Sequence, residues 1–202
     1  MLDRELADAA HRRRLAPEER RKKIVEAAER VFAERGFTGT SMDEVARLAG
    51  VTKPVLYDHF ESKAALFFAA AEGARDELLA RGKAAALAGD LEARFRAGIE
   101  AFFLFVEERP TGARLLFVVP KSDPVAAEAA AIVQRQARET IAARFSPLLR
   151  GRKPWQKDLA ALHFQKGLHA LAEWWLDNPT IPRRDLVDAA FSLSWHGFGP
   201  RE

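Results

Sequence analysis

The chain has 202 residues, 48% hydrophobic and 30% charged, with a formal net charge of +3 and no cysteine. This length suits one small and one medium domain around a good core, and the composition is that of an ordinary soluble globular protein, not a disordered one. Disulfides and thiolate metal sites are excluded, no apolar run approaches the ~20 residues that span a bilayer, and the charged N-terminus has no apolar signal core, so a cytoplasmic location without a membrane partner is expected.

The first segment, 1–16, reads as a basic, flexible arm. Between residues 11 and 23, Arg12, Arg13, Arg14, Arg20, Arg21, Lys22 and Lys23 face only Glu18 and Glu19, which leaves the rest of the chain net negative. Such an arm is either drawn to a phosphate backbone or is a solvated, frayed leader. Ile24, Ala28, Val31 and Phe32 then recur at helical spacing up to Gly36 and give a first helix. From Ser41 to Lys63 the pattern is two short helices about a glycine turn. Ser41 with Glu44 reads as a capping box, Val45, Ala46, Leu48 and Ala49 make an apolar side, and Gly50 stands where a left-handed stop is needed. Thr52 caps the second short helix, Pro54 lies in its first turn, and Leu56 and Phe60 anchor it to the core. Ser62 caps the next helix. Lys63 in that first turn is mildly unfavourable for the helix dipole, so a nearby anion would suit it.

The run VFAERGFTGTSMDEVARLAGVTKPVLYDHFESKAALF resembles the DNA-binding domain of the tetracycline-repressor (TetR) family. The ordered signature of aromatic-x-x-x-Gly, Thr-Ser, AGV, LYDHF and SKAALF covers roughly residues 24 to 68. A short helix held across another can enter a DNA major groove, and here Thr52, Lys53, Pro54 and Val55 open that helix. Lys53 is the candidate for a base-edge hydrogen bond, Pro54 and Val55 for apolar contact, and Tyr57, His59, Lys63, Thr40 and Ser41 for phosphate contact. The plainer readings are caps for Ser41 and Thr52, packing for Tyr57 and a solvated charge for Lys53.

Further on, breakers separate helical patterns throughout. A long helix is expected from about Ser62 to Arg81, ended near Gly82 and Gly89, and another from about Leu91 to Glu108 before Pro110. The latter is apolar all round, with Phe95, Ile99, Phe102 and Val106 on one stripe and Phe103, Leu104 and Phe105 beside it, so it should be buried. The resemblance implies that this helix is central and helps line a ligand cavity; a solid aromatic core is the alternative. A short helix at Thr111–Val118 is closed by Pro120, and Asp123-Pro124 caps a helix running to about Phe145. On a wheel of about 100° per residue, Val125, Ala129, Ile132, Val133, Ala137 and Ala143 share an arc centred on Gln136 and Thr140. Helices at about Trp155–Leu176 and Arg183–His196 end the chain.

The expected fold is all-α: the arm at 1–16, a three-helix helix-turn-helix domain at 17–68, and a helical ligand-binding and dimerisation domain at 69–202. Ligand candidates are Phe102, Phe105, Gln136, Thr140, His163 and Trp174. The resemblance places a dimer seam on the last two helices, with Phe164, Leu168, Leu171, Trp175, Leu186, Ala190 and Phe191 as its candidates. The five histidines form no HExxH, and glycine-rich phosphate loops and G-x-S-x-G are missing, so neither catalysis nor a cofactor is expected. The partners expected are a palindromic double-stranded DNA operator, a small apolar or amphipathic effector and a second copy of the chain. A low-specificity architectural DNA binder and a helical small-molecule carrier are the alternatives.

Overall fold

The computed structural model describes residues 16–85, 87, 89–117 and 124–198. The basic arm, Val118, Pro120 and Asp123, and the side chains of Val125 and Ala129, lie outside the described residues. Nine helices and no strands are found among those described: α1 (Pro17–Gly39), α2 (Met42–Ala49), α3 (Lys53–His59), α4 (Lys63–Ala85), α5 (Leu91–Glu108), α6 (Pro110–Phe117), α7 (Pro124–Phe145), α8 (Pro154–Asp177) and α9 (Arg183–Phe198).

Helix α1 breaks its own geometry at Gly36, where φ is 67° and ψ 175°. The reversal folds Phe37 back so that its ring stacks on Phe32 at 5.9 Å, and both meet Phe67 of α4 edge-on at 5.2 and 5.4 Å. The aromatic-x-x-x-Gly spacing is therefore a packing device: the glycine lets two rings that a continuous helix would point to different sides share one partner. Gly50 ends α2 in the left-handed region (φ 68°, ψ 31°), with its N–H on the Ala46 and Arg47 carbonyls.

Two expected caps differ. The Ser41 hydroxyl accepts from the Asp43 N–H at 3.3 Å, but Glu44 reaches towards Arg35 (3.8 Å) and does not close a box. Thr52 occupies the N-cap of α3 with no side-chain bond to it, because Pro54 removes one N–H from that first turn. Ser62 does cap α4, accepting from Ala65 N–H at 3.0 Å.

Helix α4 runs through Gly82 to Ala85, past the expected end. It packs against α1, α5, α6 and α7 at once, and that burial outweighs the roughly 1 kcal/mol that an internal glycine costs. It also crosses residue 68 unbroken, so the two expected domains share one helix and one continuous core. Helix α5 buries Phe95, Ile99, Phe102, Phe103, Phe105 and Val106 against α4, α6, α8 and α9, as its all-round apolarity demands. Trp175 near the end of α8 donates its indole N–H to the Ile181 carbonyl at 2.8 Å and so holds the turn into α9.

Candidate nucleic-acid interface and ligand cavity

Helices α2 and α3 are fixed from beneath by Val45, Ala46, Leu56 and Phe60, all buried. That leaves Thr52, Lys53, Pro54 and Tyr57 exposed on α3 and its entry, with Val55 and His59 half-buried beside them. The Lys53 ammonium donates to Asp43 on α2 at 2.9 Å, and this hydrogen bond, with the attraction of the same carboxylate, raises its pKa. A pair this open to solvent is weakly held, so a competing phosphate or base edge can take the lysine. Ser41 is exposed, and since its oxygen is already an acceptor for Asp43, its O–H is left to donate outward.

Two residues expected at phosphates, Thr40 and Lys63, bond to backbone carbonyls in the DNA-free chain. Thr40 is buried, and its hydroxyl donates to the Gly36 carbonyl at 2.7 Å, closing the kink. Lys63 turns inward: its ammonium donates to the Thr38 and Thr40 carbonyls at 3.2 and 2.7 Å and lies 4.7 Å over the Phe37 ring. The partial negative charge of the carbonyl end of α1 suits the Lys63 ammonium. Arg21, counted in the sequence only as part of the basic run, has its guanidinium 4.8 Å over Phe60 and fastens α1 to the end of α3.

Behind this face, α1 is joined to α6 by a buried carboxylate. Glu29 accepts from the Arg109 guanidinium at 2.9 and 3.1 Å and from the Thr111 hydroxyl at 2.7 Å. Arg109 also donates to Glu77 on α4, and Arg81 donates to Glu77 at 2.8 Å and Glu108 at 2.6 Å. Burial by itself would lower the Arg109 pKa, but its bonds to Glu29 prevail and raise it. Gly112 packs closely here: a Cβ at that position would stand 3.4 Å from Ala74, Glu29 and Phe105.

The far end of α6 reaches a cavity of about 310 Å³ between α4, α5, α7 and α8. Its walls include Phe95, Phe102, Leu116, Phe117, Phe164 and Leu168, with Gln134, Gln165 and His169 as neutral polar groups and Arg75 and Arg94 as cations. His169 packs on Phe117 at 4.4 Å between centroids; burial, with a smaller push from Lys166, drops its pKa to about 3 and keeps the imidazole neutral. Arg75 is bonded to Glu72, Asp76 and Gln136, whereas Arg94 donates its Nε–H to the Gly89 carbonyl at 2.9 Å.

Of the sequence candidates, only Phe102 lines this cavity. Phe105 is fully buried elsewhere in the core, under Arg81. Gln136 is exposed and held by Arg75, and Thr140 donates to the Gln136 carbonyl of its own helix. His163 and Trp174 face outward on α8. The inward face of α7 is Ala130, Val133, Gln134, Ala137 and Ile141, rotated from the expected arc because alanine is too common on this helix to mark a face. Gln165 and His169 were missed for the converse reason: the stripe of Phe164, Leu168, Leu171 and Trp175 drew attention to its centre, and the polar pair lies at its edge.

Four of the seven expected seam residues, Leu168, Trp175, Leu186 and Ala190, are buried within the protomer. Phe164 and Leu168 line the cavity, and Leu171 and Phe191 are half-buried. What α8 and α9 present outward is a different apolar set: Trp155, Leu159, Leu162, Trp174 and Leu193, the last 75% exposed.

A family model described as bacterial regulatory proteins, tetR family, matches residues 24–70. The HTH-type transcriptional activator FasR of Mycolicibacterium smegmatis is 34% identical over 190 residues, spanning 91% of this chain and 85% of that protein. The transcriptional regulator TtgR of Pseudomonas putida is 49% identical over 49 residues, 24% of this chain and 23% of its own. Among solved structures, the fatty acid degradation regulator FadR of Bacillus halodurans has a TM-score of 0.77 at 16% identity, covering 90% of this chain and 97% of that one. FadR of Bacillus subtilis, in complex with stearoyl-CoA, has a TM-score of 0.75 at 13% identity, covering 86% and 96%. The structural likenesses establish the fold, and the near full-length relative establishes the kinship: the chain belongs to the tetR family of bacterial regulatory proteins and is a DNA-binding transcriptional regulator.

Proposed function

We propose that this regulator is a homodimer that holds a palindromic operator through α3 and gives it up when a small apolar or amphipathic effector enters the cavity, acting as a repressor. Thr52, Lys53, Pro54 and Val55 meet the groove, and Ser41, Tyr57 and His59 meet phosphates. The observation that carries the reading is the placement of α6. Its start is clamped to α1 through Glu29, Arg109 and Thr111, and its last residues, Leu116 and Phe117, are cavity wall. A ligand that prefers a shifted α6 therefore also shifts α1; tight binding without that preference would move nothing. The apolar walls support the effector class, as does the stearoyl-CoA held by the B. subtilis FadR of the same fold. FasR is named an activator, and the sign of control follows from where an operator lies relative to its promoter.

The dimer is formed by the outward faces of α8 and α9. One recognition helix covers only a few base pairs, and twofold dimers read half-sites about 34–36 Å or a multiple apart. The test is selection of bound sequences from a random DNA pool at near-physiological salt. An enriched palindrome with that spacing is expected. Retained DNA without enrichment would instead favour an architectural binder, and no retention would favour a carrier.

A further inference from the structure

Gln165 belongs to the cavity wall and is only 1% exposed. Its amide N–H donates to the backbone carbonyl of Gln134 at 3.0 Å, which fixes which end of the amide is oxygen. Oε1 is then left without a hydrogen-bond partner, the one buried side-chain polar atom so placed among the described residues. Buried acceptors are nearly always paired, because a stranded one loses its water and gains nothing in return. Here the neighbouring wall seals the oxygen even against water-sized access.

The surroundings define what could pair with it. The cavity lining contains no carboxylate, and its two cations, Arg75 and Arg94, oppose an ammonium donor. His169, one turn further along α8 on the same wall, is neutral and adds no charge to attract an ion. A neutral donor is what remains, and an apolar chain is what the phenylalanines accept. We infer that the effector carries a hydroxyl on its apolar chain, and that this hydroxyl donates to Oε1 of Gln165 once the ligand has spread the wall. The inference rests on the ligand-controlled reading above and deepens it. Because the bond forms only in the spread state, it supplies the differential affinity that control requires.

The experiment is calorimetric titration of the full chain with dodecanoate and with a series of monohydroxydodecanoates whose hydroxyl is moved along the chain. At least one isomer is expected to bind about tenfold more tightly than dodecanoate, the effect of one well-made hydrogen bond. Gln165→Met, which keeps the side chain's length but not its acceptor, should erase that advantage, read as the ratio of each isomer's affinity to that of dodecanoate within the same variant. The wild-type comparison alone decides if the variant folds poorly. If dodecanoate and every isomer bind equally, or if the advantage survives in Gln165→Met, the inference is wrong and the cavity reading stands. If none of them binds, the amphipathic-effector reading falls with it.

Discussion

Gly36 and Gly50 carry nearly the same positive φ, yet they differ in what can replace them. Gly50, at ψ 31°, sits in the left-handed well that asparagine tolerates; Gly36, at ψ 175°, sits in a region essentially reserved for glycine. No side chain or backbone atom crowds either position, so backbone strain alone decides. Gly50→Asn is expected to lower stability by under about 1 kcal/mol and Gly36→Asn by roughly 1–3 kcal/mol, measured by urea unfolding. Equal costs would mean that the kink is not what positions Phe37. A second residue-scale effect concerns acid. The folded-state pKa of His169, about 3, lies below its ordinary 6.5, so between those values the unfolded chain binds more protons than the folded one. The histidine therefore contributes to loss of stability as pH falls through that window, by roughly 1 kcal/mol per unit. Unfolding curves at pH 6.5 and 5 should show a smaller acid loss in His169→Leu than in the wild type.

At the scale of elements, α6 is held at its start by the Glu29 carboxylate, whose charge Arg109 meets and which also accepts from Thr111. Replacing Arg109 with Met strands Glu29 beside Thr111, and a loss of roughly 1–3 kcal/mol is expected, tempered by the partial exposure of the guanidinium. Glu29→Gln combined with Arg109→Met should cost less than the two single changes together, because the second change no longer strands a charge. Denaturant unfolding of the four proteins measures this, and simple additivity would show that the pair is not coupled. The same scale explains what could be read from the residues in order. Helices α2 and α3 were legible because caps, a glycine stop and an N-terminal proline are local signals. The inward face of α7 was not, since its alanines fit either side and only contact with Leu116 and Gln165 selects Gln134 over Gln136. The bonds of Thr40 and Lys63 to carbonyls at the kinked end of α1 were hidden for a related reason, since no spacing rule reveals them.

For the molecule as a whole, the outward apolar residues of α8 and α9 are the surface to test. Leu159→Glu with Leu193→Glu places charge on two exposed positions, so the protomer's own stability should change by less than about 0.5 kcal/mol per site. Light scattering at micromolar concentration is expected to show a dimer for the wild type and a monomer for the double variant, with operator affinity lost alongside. A variant that remains dimeric would move the seam elsewhere.

Helix α6 is eight residues long, about 12 Å of rigid rod with Glu29 at one end and the cavity at the other. A rod transmits from either end. Whatever factor the effector takes from operator affinity, the operator must take from effector affinity. In the proposed cycle, dimers seated on their operator are then the least responsive copies, and those adrift in solution or on unrelated DNA fill first. The concentration at which a gene responds would accordingly rise with the number of spare dimers, so that the abundance of the regulator, and not only the fit of its cavity, sets the threshold.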